Sequence, residues 1–325
     1  MRIVLCYPVE TRHREQIAAA APAAEVVDAG QDHIAREIRQ ADVFCGHAKV
    51  PVDWDAVVRQ RRLKWIQSSA AGLDHCLVPS VVASDIIVTS ASGVLADQVA
   101  EHALALVTTL TRSLNVFHRA QQAREFVRRP TRDLHHSTVG IVGLGGVGRR
   151  IAEIVSTFKT RILATDMFPI DKPDHVAALW PPDRLLDMLS QVEILFLAAP
   201  LTDVTRGMID ARALAALPRG ALLINVARGP LVVEADLVAA LASGHVGGAG
   251  LDVTQSEPLP ATSRLWELPN VVITPHVGGQ SRFRIDQMTD FFCENLRRYQ
   301  AGRPLLNLVD KRLGFPPRVA APARS

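Results

Sequence analysis

The chain has 325 residues, 48% of them hydrophobic and 21% charged, a composition typical of a globular protein with enough residues for two domains. A formal net charge of +3 and scattered basic residues argue against a nucleic-acid surface and leave only a weak field for small anions. Four widely spaced cysteines without a CxxC pair argue against a metal site or disulfide framework and favour a reducing cytoplasm: Cys6, Cys45, Cys76 and Cys293.

The first hundred residues alternate short apolar runs with polar helical stretches. The pattern predicts a small parallel α/β sheet with strands at 2–6, 25–28, 42–45, 64–67 and 86–89. Segment 97–118 is apolar nearly all round, so we predict one long helix, buried between two domains. The polar residues 128–137 are predicted to form a surface connection. No targeting segment or membrane span is predicted, because no apolar stretch is long enough.

A more regular series begins at residue 138. Alternating strands and helices predict a doubly wound parallel sheet with strands at 138–142, 161–165, 193–197, 221–225, 246–251 and 271–273. The helices between them are predicted near 147–158, 183–189, 210–217 and 234–242. A last amphipathic helix is predicted at 283–300, followed after about residue 310 by a tail ordered only by packing.

A GxGxxG motif, formed by Gly143, Gly145 and Gly148, follows the strand at 138–142 and opens a helix. The first glycine suits a tight turn, the second a close backbone approach to a pyrophosphate, and the third close helix–strand packing. Asp166 ends the next strand, where a carboxylate can accept both ribose hydroxyls and repel a 2′-phosphate. The sequence therefore predicts NAD binding in preference to NADP, although a glycine-rich turn without a cofactor is the alternative interpretation.

Four polar residues follow the ends of three later strands: Arg228, Asp252, Glu257 and His276. Ligands of open parallel sheets bind beyond the carboxyl ends of the strands, so these side chains are expected in one cleft. The set suits the reduction of a 2-keto acid: Arg228 binds its carboxylate or carbonyl oxygen, His276 protonates that oxygen as hydride arrives, and Glu257 favours the charged imidazolium.

Each of these residues also has a simpler interpretation. Arg228 could form a surface ion pair, Asp252 could cap the next turn, Glu257 could be a solvated loop charge, and His276 could be an ordinary loop histidine. The simpler interpretations are favoured for single residues. The functional one is favoured for the whole set, because it follows a cofactor turn and occupies consecutive strand ends.

Nearly the whole chain resembles the D-isomer-specific 2-hydroxyacid dehydrogenases, of the glyoxylate/hydroxypyruvate reductase kind. The resemblance is carried by residues 138–148, Asn225-Val-Ala-Arg-Gly229, 251–260 and 265–279. It implies two Rossmann-like domains: a doubly wound NAD-binding domain at 99–285 and a discontinuous, flavodoxin-like substrate domain at 1–98 and 286–325. It also implies a homodimer to which the helix near 97–118 contributes. No bound metal is predicted.

The resemblance assigns roles to residues of this chain. Arg228, Glu257 and His276 would be catalytic, and the substrate would meet Arg228, His276 and the amides of Ala71 and Gly72. The NAD-binding residues would be Gly143, Gly145, Gly146, Val147, Gly148, Asp166, Pro200, Thr205, Val226, Ala227, Asp252, His276 and Gly278.

The chain departs from the family pattern at a few positions. Leu95-Ala96 stands where threonines are frequent, Phe126 where tryptophan is common, and His136-Ser137 where Gly-Lys is common. Glu257 speaks against the formate dehydrogenase branch, which carries glutamine there. His47 and Lys49 are interpreted as solvated loop residues rather than as substrate ligands.

Two alternatives to a 2-keto acid reductase remain. One is an NAD-sensing interaction protein similar to the family's transcriptional corepressors. The other is a dehydrogenase acting on an inorganic oxyanion such as phosphite.

Overall fold

The computed structural model describes residues 1–168 and 172–317. The chain forms two compact units. The first unit comprises Met1–Leu95 and the described residues that follow from Ser281, and the second unit comprises Ala96–Gln280. The predicted domain boundaries, after residues 98 and 285, lie a few residues beyond the boundaries between these two units. The predicted tail beyond residue 317 lies outside the described residues.

The first unit contains one parallel sheet of five strands. The strands are β1 (Arg2–Cys6), β2 (Glu25–Asp28), β3 (Val43–Gly46), β4 (Trp65–Ser68) and β5 (Ile87–Thr89). Their order, β2-β1-β3-β4-β5, is that of flavodoxin-like folds. The predicted α/β class is therefore confirmed, with each strand within one residue of its predicted start.

Five helices cover the two faces of this sheet: α1 (Thr11–Ala20), α2 (Gly30–Glu37), α3 (Trp54–Gln60), α4 (Pro79–Val82) and α11 (Arg284–Gln300). Helix α11 comes from the far end of the chain, and its buried Phe292 lies 5.5 Å, between ring centroids, from the fully buried Trp65 of β4. His13 of α1 also contacts Asp286 of α11 at 2.7 Å. The amphipathic last helix thus completes the core begun by the first ninety residues.

The second unit contains one parallel sheet of seven strands. These are β6 (Thr138–Val142), β7 (Arg161–Thr165), β8 (Val176–Trp180), β9 (Ile194–Leu197), β10 (Ala221–Asn225), β11 (Val246–Leu251) and β12 (Val271–Ile273). The order β12-β11-β10-β9-β6-β7-β8 reverses between β6 and β9, as in a doubly wound sheet. The predicted doubly wound sheet is confirmed.

The sequence prediction missed β8 and so counted six strands instead of seven. Strand β8 lies at the edge of the sheet and pairs only with β7 among the described strands. Only Val176 of its five residues is buried, so the strand lacks the continuous apolar run of a central strand. Pro173 and Pro181 stand on either side of β8, and such flanking prolines were the feature of the sequence that indicated a short strand between them.

The predicted single helix over 97–118 is wrong. The chain forms α5 (Ala96–Thr111) and α6 (Leu114–Gln122), separated at Ser113, whose φ of 54° is left-handed. Helix α5 buries Ala103, Leu106 and Val107 in the core of the second unit. Glycine in β11 permits this packing, because a Cβ on Gly250 would lie 2.9 Å from the Leu106 Cβ.

The other helices of the second unit are α7 (Gly146–Ser156), α8 (Leu185–Leu189), α9 (Ala211–Ala216) and α10 (Glu234–Ala242). Each lies close to its predicted position. Across the described ranges, none of the helices combines the length and apolar character needed to span a membrane.

Candidate active site

The GxGxxG turn joins β6 to α7 at the reversal point of the second unit's sheet. Gly143 has a φ of +90°, and a Cβ there would lie 2.7 Å from the backbone of Ala199, which follows β9. A Cβ on Gly148 would lie 2.0 Å from the Gly143 carbonyl oxygen. A Cβ on Gly145, by contrast, would meet no atom within 4 Å. Gly143 and Gly148 are therefore required by the fold, whereas Gly145 leaves open space at the start of α7.

This open space fits the diphosphate of a dinucleotide. Helix α7 begins at Gly146, directly after Gly145, so its first backbone amides and the positive end of its dipole lie at the open space. A side chain at residue 145 would occupy the volume in which a pyrophosphate could approach these amides. The turn, including Gly146 and Val147, therefore fits an NAD-type cofactor.

Asp166 lies beside this turn, one residue after β7. Its Oδ2 accepts a hydrogen bond from the Leu144 amide at 2.7 Å, and its Oδ1 accepts one from the Phe168 amide at 3.1 Å. A carboxylate oxygen can accept two hydrogen bonds, so each oxygen retains capacity for a ribose hydroxyl. The carboxylate is thus fixed against the phosphate turn, with no basic side chain among the next two residues, Met167 and Phe168.

The loop after β9 contains Pro200 and Thr205, two of the predicted cofactor ligands. The Thr205 hydroxyl donates to the Pro200 carbonyl at 2.7 Å and accepts from the Thr202 amide at 2.8 Å. These bonds shape the loop from within. Pro200 follows directly on Ala199, the residue against which Gly143 packs, so this loop borders the phosphate turn.

Arg228 follows β10 in a loop that the buried Asn225 organises. Asn225 accepts a hydrogen bond from the Ala227 amide at 3.1 Å and donates one to the Arg228 carbonyl at 3.0 Å. A Cβ on Gly229 would lie 1.8 Å from the Thr254 carbonyl oxygen, so this loop packs directly against the loop after β11. The sequence prediction did not include Asn225, although a buried asparagine at a strand end is a signal of loop organisation.

His276 and Glu257 are in direct contact, as the sequence predicted for a working pair. His276 Nδ1 lies 2.8 Å from Glu257 Oε2, and the two side chains are 47% and 40% exposed. Since Glu257 engages Nδ1, Nε2 is the ring nitrogen that can meet a substrate. The backbone of His276 is left-handed, with a φ of 55°.

Asp252 has a different environment from the one expected of a cofactor contact. It is 3% exposed, and its carboxylate accepts hydrogen bonds from the Val277 and Gly278 amides at 2.9 and 2.8 Å. The Thr274 hydroxyl donates a third bond at 2.7 Å. Asp252 therefore organises the loop that carries His276, and its contact with a cofactor stays a prediction.

The predicted substrate residues Ala71 and Gly72 lie in the first unit, just after β4. Ser68, the last residue of β4, accepts a hydrogen bond from the Ala70 amide at 3.0 Å through its hydroxyl, and this contact shapes the start of the loop. Ala71 is exposed and Gly72 is half-buried. Their amides lie near the carboxyl end of β4, which is the edge at which such a sheet usually binds its ligand.

His47 departs from the interpretation of a solvated loop residue, whereas Lys49 is exposed as expected. The imidazole of His47 is half-buried and stacks on His75, with 3.9 Å between ring centroids. Burial, helped by the nearby charge of His47, lowers the pKa of His75 to about 3. His75 is therefore a neutral imidazole at physiological pH.

Six loops of the second unit thus carry the predicted residues along one edge of its sheet, after β6, β7, β9, β10, β11 and β12. The described residues contain no group of three or more His, Cys, Asp or Glu placed to hold a metal ion. The fold and its turn define a protein that binds a dinucleotide, with an imidazole–carboxylate pair at the same edge.

Comparison with known proteins agrees with this description. The family model "D-isomer specific 2-hydroxyacid dehydrogenase, NAD binding domain" matches residues 104–278. A glyoxylate reductase of Thermofilum pendens is 31% identical, over 86% of this chain and 85% of that protein. The chain therefore belongs to the D-isomer-specific 2-hydroxyacid dehydrogenases, which are enzymes that use a nicotinamide cofactor.

Two solved structures share the fold over nearly the whole chain. A D-isomer-specific 2-hydroxyacid dehydrogenase of Xanthobacter autotrophicus, in complex with NADPH and MES, has a TM-score of 0.81 and 32% identity, covering 96% of this chain and 99% of that one. An NADPH-dependent glyoxylate/hydroxypyruvate reductase of Sinorhizobium meliloti has a TM-score of 0.82 and 27% identity, with the same coverage. The chain spans about half the length of the mycobacterial D-3-phosphoglycerate dehydrogenases it matches at 32% identity.

Proposed function

We propose that the protein interconverts a small 2-keto acid and its D-2-hydroxy acid, with NADH as the preferred reductant. The observation that carries this proposal is the 2.8 Å contact between His276 Nδ1 and Glu257 Oε2, at the sheet edge that also carries the phosphate turn. A bound NADH supplies the hydride. Protonated His276 donates its Nε2 proton to the substrate oxygen as the carbonyl is reduced, and takes it back in the oxidation.

The remaining residues divide the binding of substrate and cofactor. The planar guanidinium of Arg228 suits a carboxylate or carbonyl oxygen, and its loop packs against the one that leads to Glu257. The amides of Ala71 and Gly72 are the proposed donors to the substrate carboxylate. The turn from Gly143 to Gly148, with Asp166, Pro200, Thr205, Val226, Ala227 and Gly278, is proposed to hold the cofactor.

The proposed substrates are small 2-keto acids such as glyoxylate and hydroxypyruvate. A panel of 2-keto acids, assayed by the loss of NADH absorbance, tests this directly, and a parallel assay of NAD reduction by phosphite tests the oxyanion alternative. Turnover of a small keto acid in the range typical of metabolic enzymes, with kcat of about 1–1,000 per second, supports the proposal. NADH binding without turnover of any compound in either assay would favour an NAD-sensing interaction protein.

The preference for NAD is expected to depend on Asp166. Asp166→Ala removes both the acceptors for the ribose hydroxyls and the charge that repels a 2′-phosphate, so it should lower kcat/KM with NADH and raise it with NADPH. A change of about tenfold in the ratio corresponds to about 1.4 kcal/mol. Parallel kinetics with the two cofactors measure this ratio. An unchanged ratio of the two kcat/KM values would assign the cofactor preference to other residues. The test matters because two related structures contain NADPH or NADP.

Glu257→Gln is expected to lower kcat for keto-acid reduction about tenfold. The Glu257 carboxylate lies 2.8 Å from His276 Nδ1 and so turns Nε2 towards the substrate. A glutamine amide can keep a hydrogen bond to Nδ1, but without the charge that makes this bond the stronger kind. Steady-state kinetics at saturating NADH and keto acid measure the change. An unchanged kcat would remove Glu257 from the reaction.

A homodimer in the cytoplasm is also part of the proposal. Large apolar side chains of the second unit are exposed at Leu114, Phe126 and Val127, and exposed apolar groups of this kind are typical of association surfaces. All four cysteines are buried and free, as expected in a reducing compartment. Sedimentation velocity of the full chain measures the oligomeric state.

A further inference from the structure

His102 lies on α5 and forms a network with Thr274 and Asp252 that the proposed reaction does not use. Its side chain is 21% exposed, and its Nε2 lies 2.8 Å from the Thr274 hydroxyl and 3.3 Å from Asp252 Oδ1. The Thr274 hydroxyl donates its single proton to Asp252 at 2.7 Å. It must therefore accept a hydrogen bond from His102, which places a proton on Nε2 of the His102 imidazole.

This network holds both flanks of His276. On one side, His102 binds Thr274. On the other, Asp252 accepts the Val277 and Gly278 amides, and the Asp252 carbonyl accepts the His276 amide at 2.8 Å. The loop needs such support, because His276 has a left-handed backbone, with φ 55°, which is unfavourable for a residue with a side chain.

The network is also closely packed. A Cβ on Gly278 would lie 2.8 Å from Asp252 Oδ2 and 3.5 Å from the His102 ring, so the absence of a side chain at 278 lets the loop close on both residues. Asp252 is almost fully buried, and a buried carboxylate is costly unless hydrogen bonds compensate for lost hydration. His102 supports this compensation through Thr274, to whose hydroxyl it donates.

We propose that His102 is a positioning residue, which acts through Thr274 and Asp252 to hold the loop 274–278 so that His276 faces Glu257. This inference rests on the proposed role of His276. Helix α5 starts at Ala96, the first residue of the second unit, and the loop 274–278 ends two residues before Gln280, the last described residue of that unit. The network thus fastens the first helix of this unit to its last loop, at the residue proposed to transfer the proton.

The test compares His102→Leu, which removes the donor, with His102→Gln, whose amide nitrogen can take the place of Nε2. His102→Leu is expected to lower kcat for keto-acid reduction about tenfold, the loss expected for one hydrogen bond to a charged network. NADH affinity, measured by fluorescence, should fall less than kcat, by no more than about threefold, since the phosphate turn is not touched and, of the residues proposed to hold the cofactor, Gly278 alone lies in the loop. His102→Gln should recover most of the lost rate. His175→Leu, an exposed histidine before β8, is the matched control and should leave kcat unchanged.

A wild-type kcat for folded His102→Leu would overturn the proposal, and so would a rate loss in folded protein that His102→Gln does not relieve. If His102→Leu fails to fold, Thr274→Val removes the same link, with Thr274→Ser as its hydroxyl-bearing control. A lowered kcat for the valine variant alone supports the proposal, and equal rates for both overturn it. Turnover that survives removal of His276 is a separate result, which contradicts the proposed function itself.

Discussion

Replacement of His276 by asparagine is expected to lower kcat for keto-acid reduction by at least about 100-fold, the usual loss when a general acid is removed. Asparagine is the matched substitution, because it tolerates the left-handed backbone found at this position but cannot transfer a proton near neutral pH. The remaining rate would come from the bound cofactor and from substrate held by other residues. Single-turnover measurements at saturating NADH should accompany kcat, because they separate the chemical step from product release.

The control for this prediction is the affinity for NADH. The phosphate turn and Asp166 follow β6 and β7, whereas His276 follows β12 at the opposite end of the strand order. NADH binding by fluorescence should therefore stay within about threefold of wild type, less than 1 kcal/mol. If the variant binds NADH much more weakly and is also less stable to heat, His276 has a structural role in the loop rather than a chemical one.

The second large effect is expected at the glycines of the phosphate turn, where two neighbouring positions should respond in opposite ways. Gly145→Val should fold normally, because its Cβ would meet nothing within 4 Å and the backbone is extended, with φ −73° and ψ −160°. It should nevertheless lower NADH affinity by about 100-fold or more, because a side chain there blocks the approach of a pyrophosphate to the start of α7.

Gly148→Ala should instead destabilise the fold. Its Cβ would lie 2.0 Å from the Gly143 carbonyl oxygen, so α7 must shift away from β6, at a cost of about 1–3 kcal/mol. The Tm of Gly148→Ala should be about 5 °C below that of the wild type for a unit of this size. The Tm of Gly145→Val should equal that of the wild type. Normal NADH binding by Gly145→Val would show that no dinucleotide lies over this turn and would contradict the assigned cofactor site.

Much of the site follows from sequence because strands and their ends are local features. The apolar run before Gly143 and the run before Asn225 predict β6 and β10 to the residue. Parallel strands place their carboxyl ends at one edge, so Arg228 and His276 could be assigned to that edge without coordinates. The missed strand β8 shows the limit, because an edge strand buries too little surface to produce a clear apolar pattern.

Contacts between distant segments could not be predicted in this way. The break between α5 and α6 at Ser113 is not marked by a glycine or proline in the sequence. At this break the Ser113 hydroxyl donates a hydrogen bond to the Pro130 carbonyl at 3.0 Å. His102 looks like an isolated polar residue in an apolar helix until Thr274 is brought next to it. Such partners are separated by many residues, and no local period encodes them.

The α/β class, the phosphate turn and the residues that end each strand follow from the amino-acid sequence alone, because they depend on apolar periodicity and on glycine at fixed spacing. Which of these residues touch depends on how the chain folds. In the folded chain Glu257 lies against His276, and the Asp252 carboxylate accepts the Val277 and Gly278 amides of the loop that carries His276. A buried carboxylate needs hydrogen-bond donors to compensate for its lost hydration. Only the folded chain brings the Thr274 hydroxyl and the Val277 and Gly278 amides to Asp252, with His102 of α5 donating to Thr274.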